Sequence, residues 1–414
     1  MKNILPATLF LTIACFLLPA QISAREMSKD DLVQELQAMK ARLEKLETNL
    51  QEKDREVEAL RQQASQNTSK DTEDLGDRVR RIEEQMTEGK ARAPGKWADR
   101  VRLSGAVEVE AAYEEMDFAD PVPIDTESSD ITLATVELGI DVDIARYVQG
   151  HALLLWEEDD TGPVDVDEGY ITLGGVEGIP LSLTAGKMYV PFGSYESHFV
   201  SDPLTLEIGE TNERAVALAF LNDWVELSAA LYNGNANELD DDDDHIDGFA
   251  GSAVFSLPEG LVPDFGLHLG ASYLSNLAES DGLEGETPGV VQDDVTGLGV
   301  FLSASCRGLL FLEAEYIGAV DSFEPGELAF DNGLRAKPRA WNLELALVPV
   351  EKLELGVKYE GSEDMNDFLP ESQLGGVASY EVFEHTTLSL EYLHGSFEND
   401  DERNLLTTQL AIEF

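Results

Sequence analysis

The sequence predicts an all-β fold, a 16-stranded antiparallel transmembrane β-barrel over residues 101–414, with an N-terminal α-helical coiled coil ahead of it. Three observations predict it: apolar residues recur with period two, connections alternate between short and long, and one aromatic recurs in each hairpin.

The period-two pattern is clear on individual segments. Leu353, Leu355, Val357 and Tyr359 alternate with Glu354, Gly356, Lys358 and Glu360. Trp341, Leu343, Leu345 and Leu347 enclose Asn342, Glu344 and Ala346, and Leu388, Leu390 and Tyr392 enclose Ser389 and Glu391. Leu406, Thr408, Leu410, Ile412 and Phe414 share the apolar parity of the final segment. Successive side chains of a strand point to opposite faces, so each segment presents one apolar and one polar face.

Short connections fall near residues 145–148, 177–180, 222–223, 258–264, 306–308, 349–352 and 383–385. Long ones fall near 114–129, 159–165, 190–213, 233–245, 276–292, 321–337, 362–370 and 398–403. An even strand number with turns on one side and loops on the other is the bacterial outer-membrane pattern. Tyr113, Trp156, Tyr189, Tyr232, Tyr273, Tyr316, Tyr359 and Tyr392 each precede a long loop, at intervals of 33 to 43 residues. Aromatic rings favour the headgroup level, so these positions predict a girdle near the outer rim. The chain ends in Phe414 on an apolar face, which resembles the recognition signal of the barrel-assembly machinery.

Ahead of the barrel, Lys2, the apolar stretch from Ile4 to Leu18 and the small residues before Arg25 predict a signal peptide over residues 1–24. A lipoprotein reading around Cys15 is weaker, because Thr12 stands where leucine is usual. Leu32, Leu36, Met39, Leu43, Leu46, Leu50, Val57 and Leu60 follow heptad spacing, with Lys53 the polar member of the seam. After a break from Ser65 to Asp71, Leu75, Val79, Ile82 and Met86 resume it. Residues 25–90 therefore read as a periplasmic coiled coil, or alternatively a helical hairpin, and 91–100, with Pro94 and Gly95, as a linker. At about 1.5 Å per residue the first helical segment would extend roughly 50 Å.

Composition narrows the partners. Asp and Glu total 82 against 28 Lys and Arg, a formal net charge of −54, so the chain repels nucleic acid. With Cys15 in the leader, Cys306 stands alone and no intrachain disulfide is expected. No pair of histidines has metal-ligand spacing and no nucleophile-elbow or phosphate-loop motif occurs, so no enzyme, metal site or cofactor is expected. The Asp240–Asp244 run lacks the spacing and glycine of a calcium loop and reads as a solvated acidic tip.

With the apolar faces turned to outer-membrane lipid, the other parity faces inward. That places Glu108, Glu110, Glu137, Asp141, Asp143, Glu226, Glu313, Glu315, Glu344, Glu354, Glu360, Glu391 and Glu413 in the lumen, opposed by Arg102 and Lys358. A lumen lined in this way favours cations.

Gly186-Lys187-Met188-Tyr189-Val190-Pro191-Phe192-Gly193, then Ser201-Asp202-Pro203-Leu204-Thr205-Leu206-Glu207 and Gly209-Glu210-Thr211, is similar to a stretch of the LbtU-type siderophore porins. The layout of leader, coiled coil and barrel with a terminal aromatic resembles that family too. The resemblance implies passive, TonB-independent uptake of a small solute, a ferric siderophore in that family. In sixteen-stranded porins the third loop typically folds inward, which here makes Tyr195, Asp202, Glu207, Glu210, Glu213 and Arg214 the expected constriction, with an outward surface loop as the alternative. The coiled coil and the strand count suggest a homotrimer, with a monomer as the alternative. A different reading makes the barrel a structural anchor whose coiled coil tethers envelope layers. A third, lipid hydrolysis in the membrane, has no motif behind it.

Overall fold

The computed structural model describes residues 100–119, 126–158, 164–236, 245–258 and 260–414. The leader, the coiled coil, nearly all of the linker and the Asp240–Asp244 run lie outside the described residues.

Sixteen strands close into one antiparallel barrel, each pairing with its neighbours in sequence and the last with the first. They are β1 (Val101–Asp117), β2 (Thr126–Ala145), β3 (Val148–Glu157), β4 (Asp165–Leu173), β5 (Leu181–Tyr189), β6 (Asn212–Leu221), β7 (Val225–Tyr232) and β8 (Gly248–Ser256). The second half holds β9 (Phe265–Leu274), β10 (Gly297–Cys306), β11 (Leu310–Ala319), β12 (Arg339–Val350), β13 (Leu353–Glu363), β14 (Ser372–Phe383), β15 (Thr386–Ser396) and β16 (Glu402–Glu413). Two short helices, α1 (Leu204–Glu207) and α2 (Asp281–Gly285), lie in the third and fifth long loops. At the seam, Gly105 and Phe414 exchange backbone hydrogen bonds of 3.0 Å in both directions. Closure leaves no unpaired sheet edge, the condition for a sheet to cross a membrane.

The period-two pattern becomes two faces. Leu343, Leu345, Leu347, Val357, Leu390 and Ile412 are exposed on the outside, whereas Glu344, Lys358, Glu360 and Glu391 are buried on the inside. Several tight turns hold a left-handed residue, among them Arg307, Lys352 and His385, which reverses the chain within a few residues. On the long-loop side the sequence-based limits shift: β1 and β2 run on to Asp117 and from Thr126, deeper into the expected first loop.

The apolar core is made by loops inside the barrel rather than by the strands alone. Phe192, Leu204 and Ile208 of the third loop pack with Leu277 and Leu283 of the fifth and with inward-facing Leu274 and Ile317. Tyr232 departs from the expected girdle. It pairs with Ala215, on the opposite parity from the outward Leu231, and is 1% exposed inside the barrel. Tyr113, Tyr189, Tyr273, Tyr316, Tyr359 and Tyr392 are exposed, and Trp156 shares the outward parity of its partner Val136.

Candidate functional site: the barrel interior and its inserted loop

The third long loop leaves β5 after Tyr189, enters the barrel, and is pinned by carboxylates of the far wall. Gly193 N–H donates to Ser272 Oγ on β9 at 3.1 Å. Ser194 and Tyr195 N–H groups donate to the two oxygens of Glu315 on β11 at 2.7 and 3.1 Å. The Ser197 hydroxyl and the His198 N–H donate to Glu344 on β12, each at 2.8 Å. His198 Nδ1 lies 2.8 Å from Glu354 on β13. Val200 and Ser201 N–H groups donate to Glu391 on β15 at 2.7 and 3.2 Å. The loop then turns back: Leu204 N–H donates to Glu360 at 3.0 Å and the Thr205 hydroxyl to Glu315 at 2.9 Å.

A loop backbone has few neighbours able to satisfy its N–H groups once it leaves water, and buried donors must be paired. Here the acids expected to line the lumen supply the acceptors. Charge-assisted bonds of this kind are about twice as strong as neutral ones. Lys358 completes the track. Its ammonium lies 2.9 Å from Glu360, 3.1 Å from Ser201 Oγ and 4.7 Å from the centroid of the Phe199 ring. Phe199 fits because the wall beneath it is glycine: a Cβ at Gly375 would come within 2.9 Å of the ring, and one at Gly356 within 3.2 Å.

The inward acids therefore divide into two sets. Glu315, Glu344, Glu354, Glu360 and Glu391 are engaged by the loop, and Glu313 lies 3.9 Å from His198 Nε2. On the opposite wall, Glu108, Glu110, Glu137 and Asp141 share the inward register and stay half-exposed, as does Glu168, while Glu226 is exposed. Inward yet accessible groups mark the open side of the lumen. Asp143 pairs with Arg102 at 3.2 Å, and Glu413 sits inward opposite Ala106.

The six expected constriction residues separate in the same way. Asp202 is exposed and Glu207 and Glu210 half-buried. Tyr195 packs over Gly193 and Gly209 against the loop core instead of lining open space. Glu213 is buried and accepts a hydrogen bond from Asn235 Nδ2 at 2.6 Å. Arg214 pairs with Lys187 on the parity of Val216 and Leu218, so it faces outward near the rim and is no part of the interior.

Two interior groups had gone unread. Arg403 shares the inward parity of Thr407, donates to Gln373 Oε1 at 3.0 Å and acts electrostatically on Glu207. Asp281, from the fifth loop, accepts the Asn212 N–H at 3.2 Å, and its own N–H donates to the Glu210 carbonyl at 2.8 Å. Burial, together with Asp281, Asp202, Asp167 and Glu207, pushes the Glu210 carboxyl up to about 8. Asp281 is raised to about 6, mainly by burial. Burial, with the neighbouring Asp202, also raises Glu207. The hydrogen bond to Glu354 raises His198, which favours its charged form between the acids. Among the described residues no group of three or more His, Cys, Asp or Glu side chains could hold a metal ion.

No protein-family model matches the chain. It is 26% identical over 321 residues to a UPF0422 protein of Legionella pneumophila (strain Paris), covering 71% of this chain and 58% of that protein. It is 26% identical over 311 residues to a UPF0422 protein of Coxiella burnetii, covering 71% and 64%. The chain thus spans less than two thirds of the length of these relatives. Among solved structures it is similar to the outer membrane channel DcaP of Acinetobacter baumannii, with TM-score 0.53 and 15% identity over 76% of this chain and 97% of that one. It is also similar to an anion-selective porin from Comamonas acidovorans (TM-score 0.53, 13% identity, 76% and 99% covered). OprB of Pseudomonas putida gives TM-score 0.52 at 12% identity, with 77% and 95% covered. The described barrel has the fold of these outer-membrane channels.

Proposed function

We propose that the chain is a passive outer-membrane pore for small solutes, with a preference for cations. One observation carries the reading. The third loop is tied into the barrel against β11, β12, β13 and β15, while the inward carboxylates of the facing wall remain accessible. Such a loop narrows a channel without plugging it. Asp202 and Glu207 of that loop add to the inward acids Glu108, Glu110 and Glu137, and clefts lined by one sign of charge concentrate the opposite ion. Outward leucines and tyrosines seat the barrel in the lipid.

The resemblance of the segment from Gly186 to Thr211 to LbtU-type porins supports a ferric siderophore as the solute, taken up without TonB. The accessible acids favour one of neutral or positive charge over a polycarboxylate. The deciding experiment is bilayer conductance of the full chain across a KCl gradient. A reversal potential toward the K⁺ equilibrium value is expected, and Asp202→Asn with Glu207→Gln should reduce it. A potential toward the Cl⁻ value would overturn the cation preference, and absence of conductance would overturn the pore.

A further inference from the structure

Beneath the start of the third loop lies a cavity of about 270 Å³, walled by β4, β5, β6 and β7. Its lining joins Glu168 and Tyr170 of β4 to Met188 and Pro191, with the small residues Ala217 and Ser228 on the neighbouring strands β6 and β7. The same register that turns Ile171 outward turns Tyr170 inward, opposite His151. His151 stacks on Tyr170 with ring centroids 4.8 Å apart and an interplanar angle of 23°, and its Nδ1 lies 2.9 Å from Asp141. The phenol ring is thus held by a second ring that is itself held by a carboxylate.

The motif from Gly186 to Gly193 builds the floor. Gly186 has φ 151°, and a Cβ there would strike the Gly169 carbonyl and the Tyr170 backbone. It therefore lets β5 approach Tyr170, while Met188 and Pro191 supply apolar surface. Among the described residues Glu168 holds none of the loop backbone, unlike Glu315, Glu344 and Glu391. A carboxylate, an aromatic ring and a polarizable thioether around one small cavity are complementary to a positive charge carried on an apolar body.

We propose that this cavity is a lumenal subsite for a small organic cation, with an ammonium group against Glu168 and its apolar body against Tyr170 and Met188. The inference rests on the pore reading and deepens it by naming a class of solute. The volume lies below the roughly 300–1,000 Å³ of drug-sized pockets, so the body is a single ring or a short alkyl chain.

Benzylammonium is the probe and benzyl alcohol its neutral counterpart. Benzylammonium added to one side of a bilayer holding the full chain should reduce K⁺ current at concentrations where benzyl alcohol does not. Glu168→Gln and Tyr170→Leu should each raise the half-blocking concentration, read against that variant's own conductance, by roughly tenfold. Equal block in all three proteins, or equal block by the alcohol, would overturn the subsite and leave the pore reading standing. If the wild-type chain does not conduct, the pore reading fails. Titration calorimetry on the detergent-solubilised full chain then decides the subsite: binding of benzylammonium weakened by Glu168→Gln supports it, and no binding overturns it.

Discussion

The Lys358 ammonium and the Glu360 carboxylate, two positions apart on the inward face of β13, form a 2.9 Å ion pair with both side chains wholly out of solvent. Glu360 also accepts from Gln373 Nε2 at 2.7 Å and from the Leu204 N–H, and Lys358 donates to Ser201. The pair is therefore the point where the outgoing and returning limbs of the third loop meet the wall.

Removing one member strands the other. Lys358→Met should cost about 3–5 kcal/mol, because an unpaired buried carboxylate remains. Lys358→Met with Glu360→Gln should recover part of that loss, since the residual group is neutral and still hydrogen-bonds. Urea unfolding in detergent micelles, followed by the mobility shift of the folded barrel on gels, reads both. A double variant as unstable as the single would show that the charge pairing contributes nothing.

Glu344 tests the anchoring track. Glu344→Ala removes the acceptor for Ser197, for the His198 N–H and for Asn342 Nδ2. Bonds to a charged acceptor contribute about 1.5–3 kcal/mol each, enough to loosen the loop locally while the strand ladder persists. Single-channel recordings should show larger and noisier unit conductance, and limited proteolysis should cut near residues 196–200. Unchanged conductance with a protected loop would mean that the remaining contacts suffice.

Much of this interior was legible in advance because strand parity is strict. Once Leu343 and Leu345 face out, Glu344 must face in. The same rule, applied strand by strand, would also have corrected two expectations. Leu231 already holds the outward place at the end of β7, so Tyr232 turns in, and Val216 and Leu218 carry Arg214 outward. Which acids line free space and which grip the loop was not legible. That depends on the wall on which the loop lies, a long-range fact that no local spacing encodes. Asp281 was hidden for the same reason: it reaches Glu210 and Asn212 from a loop about seventy residues further along the chain.

Two acids where the third and fifth loops meet predict a pH-dependent selectivity. Asp281 titrates near 6 and Glu210 near 8, both raised from ordinary carboxyl values chiefly by burial. Below these values each group is neutral. As pH rises from 5 to 9 the two loops gain negative charge in two steps, Asp281 first and Glu210 second, so cation preference should increase across that window. Glu210→Gln should remove the upper step and leave the lower one. Reversal potentials taken at unit pH intervals check this, and a flat profile in the wild type would contradict the assignment of these groups to the conducting path.

Two arginines on opposite faces of the barrel wall, one on β16 and one on β6, should behave in opposite ways. Arg403 points inward, stacks over Phe397 with 5.9 Å to the ring centroid, and acts on Glu207. It offsets part of the negative field there, so Arg403→Gln should shift the reversal potential further toward the K⁺ value. Arg214 lies on the outer face beside Lys187, where the wall and solvent screen it from the lumen. Arg214→Gln should leave the reversal potential where it is. If Arg214→Gln changed selectivity and Arg403→Gln did not, the inward and outward faces of β6 and β16 would have to be exchanged, and with them the acidic lumen.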